Sequence, residues 1–108
     1  MELRDIVKEI YDSSTRLENG SKEIFKLAED LAVKEMEYRK ALAYEIIRLK
    51  DEKMSITLIP DIARGNVADI KFQRDLAEEK LKAARTAIDA IQTRMNGLQS
   101  ILKYQAEV

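Results

Sequence analysis

The chain has 108 residues, of which 45% are hydrophobic and 36% are charged, and it contains neither cysteine nor histidine. This length allows one small domain, residues 1–108, and the missing residue types exclude disulfide bonds, thiolate or imidazole metal sites and histidine general bases. The net charge of −1 gives no bias toward phosphate. No apolar run reaches a membrane span and no signal core opens the sequence, so we expect a cytoplasmic protein without a membrane segment.

The first half of the chain predicts two helices. Only three glycines and one proline are present, which favours long helices over a sheet. Residues 3–17 have apolar side chains at helical spacing, and the segment Asn19-Gly20-Ser21 predicts a break after them. A second helix is predicted over about 21–54. Six of its eight seam positions are apolar, the eight being Ile24, Ala28, Leu31, Glu35, Tyr38, Leu42, Glu45 and Leu49.

Residues 55–65 are predicted as a connector. Pro60 prevents continuation of the second helix and suits the start of a short helical turn. Gly65 could close that turn in the left-handed conformation, and Asn66 could cap the next helix.

A third helix is predicted over about 66–106, because it carries an unbroken heptad pattern. Ten of the twelve seam positions are apolar, and these positions are Val67, Ile70, Arg74, Ala77, Leu81, Ala84, Ile88, Ile91, Met95, Leu98, Leu102 and Gln105. The pattern stays in phase across Asn96 and Gly97, so we expect no break there. A second stripe on this helix is built largely from small residues that suit close packing, namely Leu76, Ala83, Ala90, Gly97 and Tyr104.

These elements predict an all-α fold: a long antiparallel helical hairpin with a short N-terminal helix. The hairpin alone cannot cover two apolar stripes on the third helix. The second stripe is therefore predicted to be the oligomer face of a larger helical bundle, most simply a homodimer.

Charged residues within the seams form the first candidate site. A hairpin turning near Pro60 would place Glu45 beside Arg74. One interpretation is a structural ion pair that sets the register of the two helices. The other is a carboxylate site for catalysis or metal, which the absence of histidine makes less suitable.

The connector supplies a second candidate site, and the distal third helix a third. The connector side chains either cover the open end of the core or form an apolar patch that binds a partner, with Arg64 as a polar contact; its apolar members are Ile56, Leu58, Ile59 and Ile62. Arg85, Arg94 and Lys103, near Tyr104, either lie on a solvated helix face or contact single-stranded nucleic acid.

The stretch from Leu58 to Glu78, LIPDIARGNVADIKFQRDLAE, resembles small helical accessory proteins of phages and prophages of Gram-positive bacteria. The likeness extends back to residues 48–50 and forward to residues 99–102. That family has no established activity, so the resemblance implies no catalytic residues. It implies a phage accessory protein in the bacterial cytoplasm, with related genes among replication and recombination genes.

We therefore expect a non-enzymatic protein that acts by protein–protein interaction and modulates or inhibits a host protein, without cofactor or metal. The alternative is a nucleic-acid-associated factor in phage replication or recombination. The absence of a usable nucleophile–base pair or phosphate loop argues against an enzyme.

Overall fold

The structure, a computed structural model, describes the backbone of residues 2–107 and the side chains of residues 2–105. Three helices account for almost all of it: α1 (Leu3–Asp51), α2 (Ile59–Asn66) and α3 (Ala68–Glu107). The described residues contain no strand. The predicted all-α class is confirmed.

Helix α1 runs through the segment where a break was predicted. No glycine of the chain has a positive φ angle, so Gly20 does not terminate a helix. The hydroxyl of Ser21 donates to the carbonyl of Leu17 at 2.9 Å instead of capping a new helix. The prediction of two helices, 3–17 and 21–54, is therefore wrong, because Gly20 and Ser21 both lie inside one 49-residue helix.

Gly20 lies at a close packing contact rather than in a turn. A Cβ atom at this position would collide with Cδ1 of Ile88 and lie 3.1 Å from its Cγ1. Ile88 belongs to the predicted α3 seam, so the absent side chain lets that seam approach α1 closely. Close packing had been predicted for Gly97, but nothing lies within 4 Å of a Cβ at that position.

Helix α1 ends at Asp51 in a Schellman motif. Lys53 has a φ of 61°, its N–H donates to the carbonyl of Lys50 at 3.0 Å, and the N–H of Met54 donates to the carbonyl of Leu49 at 3.2 Å. Met54 also packs against the buried cluster that contains Leu49, which is the apolar contact that usually accompanies this motif. The chain therefore leaves α1 at Lys53, earlier than the predicted turn near Pro60.

Helix α2 lies within the predicted connector and packs inward. Pro60 occupies its first turn, as predicted. Ile59 and Ala63 are buried with Leu49 of α1. Gly65 does not adopt the left-handed conformation that was predicted to close the turn. Asn66 is the last residue of α2, so it is not the residue that caps α3, which begins at Ala68.

Helix α3 is continuous through Asn96 and Gly97, as predicted. Its heptad seam faces inward: of the twelve seam positions, all but Gln105 are buried or half-buried. A heptad pattern thus identified the packed face of this helix correctly.

The contacts divide the chain into two compact units. One consists of Met1–Lys26 with Lys82–Val108, and the other of Leu27–Leu81. Helices α1 and α3 each contribute to both units.

Replacing Lys53 by glycine should stabilise the protein by about 1 kcal/mol, because a left-handed residue with a Cβ is strained by roughly that amount. The matched variant Lys50→Gly, inside α1, should cost about 1 kcal/mol through lost helix propensity. Urea denaturation of both variants checks the opposite signs. A loss of stability in Lys53→Gly would contradict the assigned Schellman motif.

Alanine at Gly97 should stabilise the fold by about 1 kcal/mol, the usual difference in helix propensity. Alanine at Gly20 should gain clearly less, because Ile88 must move to accommodate the new methyl group. Thermal denaturation of the two variants side by side measures this difference, and equal gains would show that Gly20 is not needed for packing.

Candidate functional site

The connector side chains do not form one patch. Ile56 is 79% exposed and Leu58 is 54% exposed, whereas Ile59 is 3% exposed and Ile62 packs beside the same buried cluster. Ile59 and Ile62 thus pack with the buried cluster, as the first interpretation expects, whereas Ile56 and Leu58 are exposed. Ile59 does not belong to an exposed patch, because its side chain is buried against Leu49 of α1 and Ala63 of α2.

The exposed pair is carried on a well-defined turn. The N–H groups of Leu58 and Ile59 both donate to the carbonyl of Ser55, at 3.0 and 3.2 Å. The hydroxyls of Ser55 and Thr57 lie 3.0 Å apart. Ile56 and Leu58 are thus held by local hydrogen bonds on one side and by the buried Ile59 on the other. The side chain of Arg64 is exposed and pairs with Asp61 at 3.3 Å.

Arg74 is the centre of an ionic network, but its partner on α1 is Glu35 rather than Glu45. Its Nε donates to Glu35, and its Nη1 donates to Asp75 at 3.1 Å and also to Glu78. Glu35 also accepts from Arg39 at 2.8 Å. The hydrogen bond from Arg39, and after it the one from Arg74, lowers the pKa of Glu35. The hydrogen bond to Glu35 is the main cause that raises the pKa of Arg74.

Glu45 lies in a separate network. Its two oxygens accept from Nε and Nη2 of Arg48 at 2.8 and 3.0 Å, a bidentate pair, and Asn66 donates to it at 2.9 Å. These hydrogen bonds, that of Arg48 first, lower the pKa of Glu45 from 4.5 to about 2.

The predicted pair of Glu45 and Arg74 is thus replaced by Glu35–Arg74 and Glu45–Asn66. The physical reason is the position of the turn. Both observed pairs have their sequence midpoint near residue 55, which agrees with a reversal that begins at Lys53 and not with one centred on Pro60. The acid that pairs with Arg74 across the two helices is therefore Glu35.

The predicted oligomer face is exposed in the single chain. Leu76, Ala83, Ala90, Gly97 and Tyr104 are all accessible on α3. Other large apolar side chains are exposed on α1. Within the described residues, much apolar surface is left uncovered.

A shallow apolar groove of 310 Å³ lies in the first unit. Its floor is formed by Gly20, Ala84, Ala87, Ile88 and Ile91, and Arg16, Asn19 and Glu23 line its edge. This groove was not predicted from the sequence, because Gly20 was expected to end a helix. The continued spacing of Leu17, Gly20 and Ile24 was the available signal that the seam crosses the glycine.

The candidate nucleic-acid residues are less available than their sequence suggested. Nη2 of Arg94 donates to Glu9 at 2.8 Å, so this guanidinium is already paired. Arg85, Lys103 and Tyr104 are exposed along α3. The distal helix thus offers a few separate cations and one exposed aromatic ring.

The described residues hold no cluster of three or more acidic side chains arranged for a metal ion. Among the same residues, no helix is both long and apolar enough to cross a membrane.

The Glu45 network predicts a specific pH dependence. Because the pKa of Glu45 is lower in the folded protein than its ordinary value of 4.5, its carboxylate contributes stability above pH 4.5 that is lost as the pH falls toward 2. Glu45→Gln should therefore destabilise the protein at neutral pH and flatten the loss of stability between pH 4.5 and 2. Urea titrations across this range measure both effects.

Glu23→Gln is the control, since Glu23 has no hydrogen-bond or ion-pair partner within the described residues. It should keep the wild-type pH profile. A Glu45→Gln profile with the wild-type slope would contradict the stabilising role of the network.

Comparison with known proteins gives no relative from which a role could be transferred. The chain matches no protein-family model, no curated protein sequence and no solved structure.

Proposed function

We propose that the protein acts without catalysis, by presenting apolar side chains on a fixed helical scaffold to another protein. The observation that carries this proposal is the exposed pair Ile56 and Leu58, held on a hydrogen-bonded turn next to the buried Ile59. A turn whose backbone is already fixed by hydrogen bonds loses little backbone entropy when a partner covers it. Function is often carried by such loops on rigid scaffolds.

The chemistry of the chain supports an interaction protein over an enzyme. Glu35 and Glu45 are each engaged by arginine side chains, and these hydrogen bonds account for their lowered pKa values. Such groups are already committed to structural pairs, so they do not supply a poised acid or base.

The resemblance of residues 58–78 to phage accessory proteins suggests the biological context in which the protein acts. The connector turn begins this stretch, and Leu58 is its first residue. We propose a phage-encoded protein whose partner is a host protein in the bacterial cytoplasm. Such an accessory protein would modulate or inhibit the host protein by covering part of its surface.

The proposed architecture is an antiparallel helical hairpin that self-associates, most simply as a dimer. Support for the hairpin comes from paired residues within each unit. In the second unit, Glu45 pairs with Asn66 and Glu35 pairs with Arg74. The residue that lies earlier on α1 thus has the partner that lies later in the chain, as in an antiparallel pair of helices. Gly20 with Ile88, and Glu9 with Arg94, follow the same order in the first unit. Support for self-association comes from the apolar side chains left exposed on α1 and α3.

A photo-crosslinking amino acid in place of Ile56, expressed in bacteria that host such phages, tests the proposal. We expect one discrete adduct to a host protein, identified by mass spectrometry. The same amino acid at Phe72, an exposed apolar position on α3, is the control and should not give that adduct.

The double variant Ile56→Ser/Leu58→Ser should lose capture of the same protein while its stability changes by no more than about 0.5 kcal/mol, because both side chains are exposed. Phe72→Ser should retain capture. If no adduct forms at position 56, or if the double variant still captures the host protein, the connector is not the binding surface.

The nucleic-acid alternative predicts a salt-sensitive shift of labelled single-stranded DNA that weakens in Arg85→Ala. We expect no shift at low salt, because the net charge is −1 and Arg94 is paired with Glu9. A shift with these properties would favour the alternative.

A further inference from the structure

We propose that the first unit binds a small zwitterion with an apolar side chain, the class of free α-amino acids such as leucine and phenylalanine. The site uses residues of α1 and α3 that lie within 9–23 and 84–94, all in that one unit. This inference goes beyond the proposed function, because it needs neither the connector turn nor self-association.

A polar pocket of 350 Å³ adjoins the apolar groove of the first unit. The pocket is lined by Glu9, Asp12, Ser13 and Arg16 of α1 and by Arg94 of α3. Arg16 lines the groove as well, so the two cavities meet at this side chain. Each cavity has a volume at the lower end of the range of roughly 300–1,000 Å³ that is usual for small-molecule sites.

Ser13 is the residue that marks the polar pocket as a ligand site. It is 4% exposed, yet its hydroxyl makes no hydrogen bond within the described residues. No side-chain oxygen or nitrogen in that part of the chain is both sealed from solvent and unpartnered, so the hydroxyl keeps a small opening into the pocket that it lines. Buried polar groups normally have a hydrogen-bond partner. A ligand in the pocket supplies the partner that the protein does not.

The charges of the pocket are balanced, and one of each sign is available. Glu9 and Arg94 pair with each other at 2.8 Å, so these two charges are already matched. Asp12 and Arg16 have no side-chain hydrogen bond or ion pair within the described residues. An acid and a base at this spacing can pair on a helix, but here both remain open to a ligand.

A free α-amino acid matches the unpaired groups of the pocket. Its carboxylate accepts hydrogen bonds from the guanidinium of Arg16 and the hydroxyl of Ser13, and its ammonium group donates to Asp12. A simple anion or a simple cation would satisfy only one of the two unpaired charges and would be repelled by the other. The charge pattern therefore favours a zwitterion.

The adjoining groove selects an apolar side chain on that zwitterion. Its floor consists of Gly20 of α1 with Ala84, Ala87, Ile88 and Ile91 of α3. The glycine and the two alanines leave the space, and the two isoleucines supply apolar surface. An apolar ligand group that lies in the groove is removed from water together with this surface.

Titration of the isotope-labelled chain with L-leucine, followed by NMR, tests the proposal. We expect saturable shifts of amide resonances confined to residues 9–23 and 84–94. Glycine lacks the side chain, isocaproate lacks the ammonium group and isoamylamine lacks the carboxylate of leucine. Each of these probes should bind at least about tenfold more weakly than leucine, because each leaves part of the site unmatched.

Paired variants separate the site from the general surface of the protein. Ser13→Ala should weaken leucine binding severalfold and Arg16→Gln by about tenfold, because each removes a donor to the carboxylate. Ser14→Ala and Arg85→Gln, exposed positions outside both cavities, are the matched controls and should bind leucine as the wild type does. All four variants should keep the helical circular-dichroism signal.

The groove is tested by Ala87→Leu, which fills it from an exposed position on α3. This variant should lose the preference for leucine over glycine, while its circular-dichroism signal stays unchanged. An unchanged preference would show that the groove does not hold the ligand's side chain and would overturn the proposal.

Other results would also overturn it. Isocaproate or isoamylamine binding as tightly as leucine would identify a site for a simple ion. Equal leucine binding by Ser13→Ala and Ser14→Ala would remove the hydroxyl from the site, and the absence of saturable shifts with both leucine and phenylalanine would remove the site itself. None of these results affects the crosslinking test of the connector, so the two proposals fail independently.

Discussion

The close approach of α3 to α1 is the interaction on which the fold depends most. The heptad seam of α3 is apolar over nearly its whole length, and burial of that seam is the main favourable term available to a chain with so few other contacts. In the first unit, the missing side chain at Gly20 admits Ile88. In the second unit, Leu49, Ile59 and Ala63 form the buried cluster where the chain reverses.

Polar groups within the seams form hydrogen-bonded pairs beside this apolar packing. Apolar side chains alone tolerate a shift of one heptad between two helices, whereas a half-buried arginine such as Arg74 favours an arrangement that brings a carboxylate beside it. It meets Glu35 and is further held by Asp75 and Glu78. Glu45 is satisfied independently by Arg48 and Asn66 near the turn. These residues are best explained as determinants of alignment.

Apolar surface that remains outside the packed seam points to interactions with other proteins. Exposed Ile56 and Leu58 stand on the connector turn, and Phe25, Met36 and Ile47 are exposed on α1. Exposed apolar surface of this kind often marks a binding surface. The proposed recognition of another protein rests on these exposed side chains.

The helical class, the length of α3, its buried seam and the position of Pro60 at the start of a short helix could all be predicted from the residues alone, because these features depend on local periodicity and backbone stereochemistry. The role of Gly20, the partner of Arg74 and the burial of particular connector side chains depend on contacts between distant parts of the chain, so they could not be predicted. A glycine can end a helix or admit a neighbour, and the choice depends on whether a side chain such as Ile88 lies beside it. The register of the two long helices depends likewise on where the turn begins. That point is set by Lys53 in the left-handed conformation, which a lysine adopts only when the surrounding packing compensates for its strain.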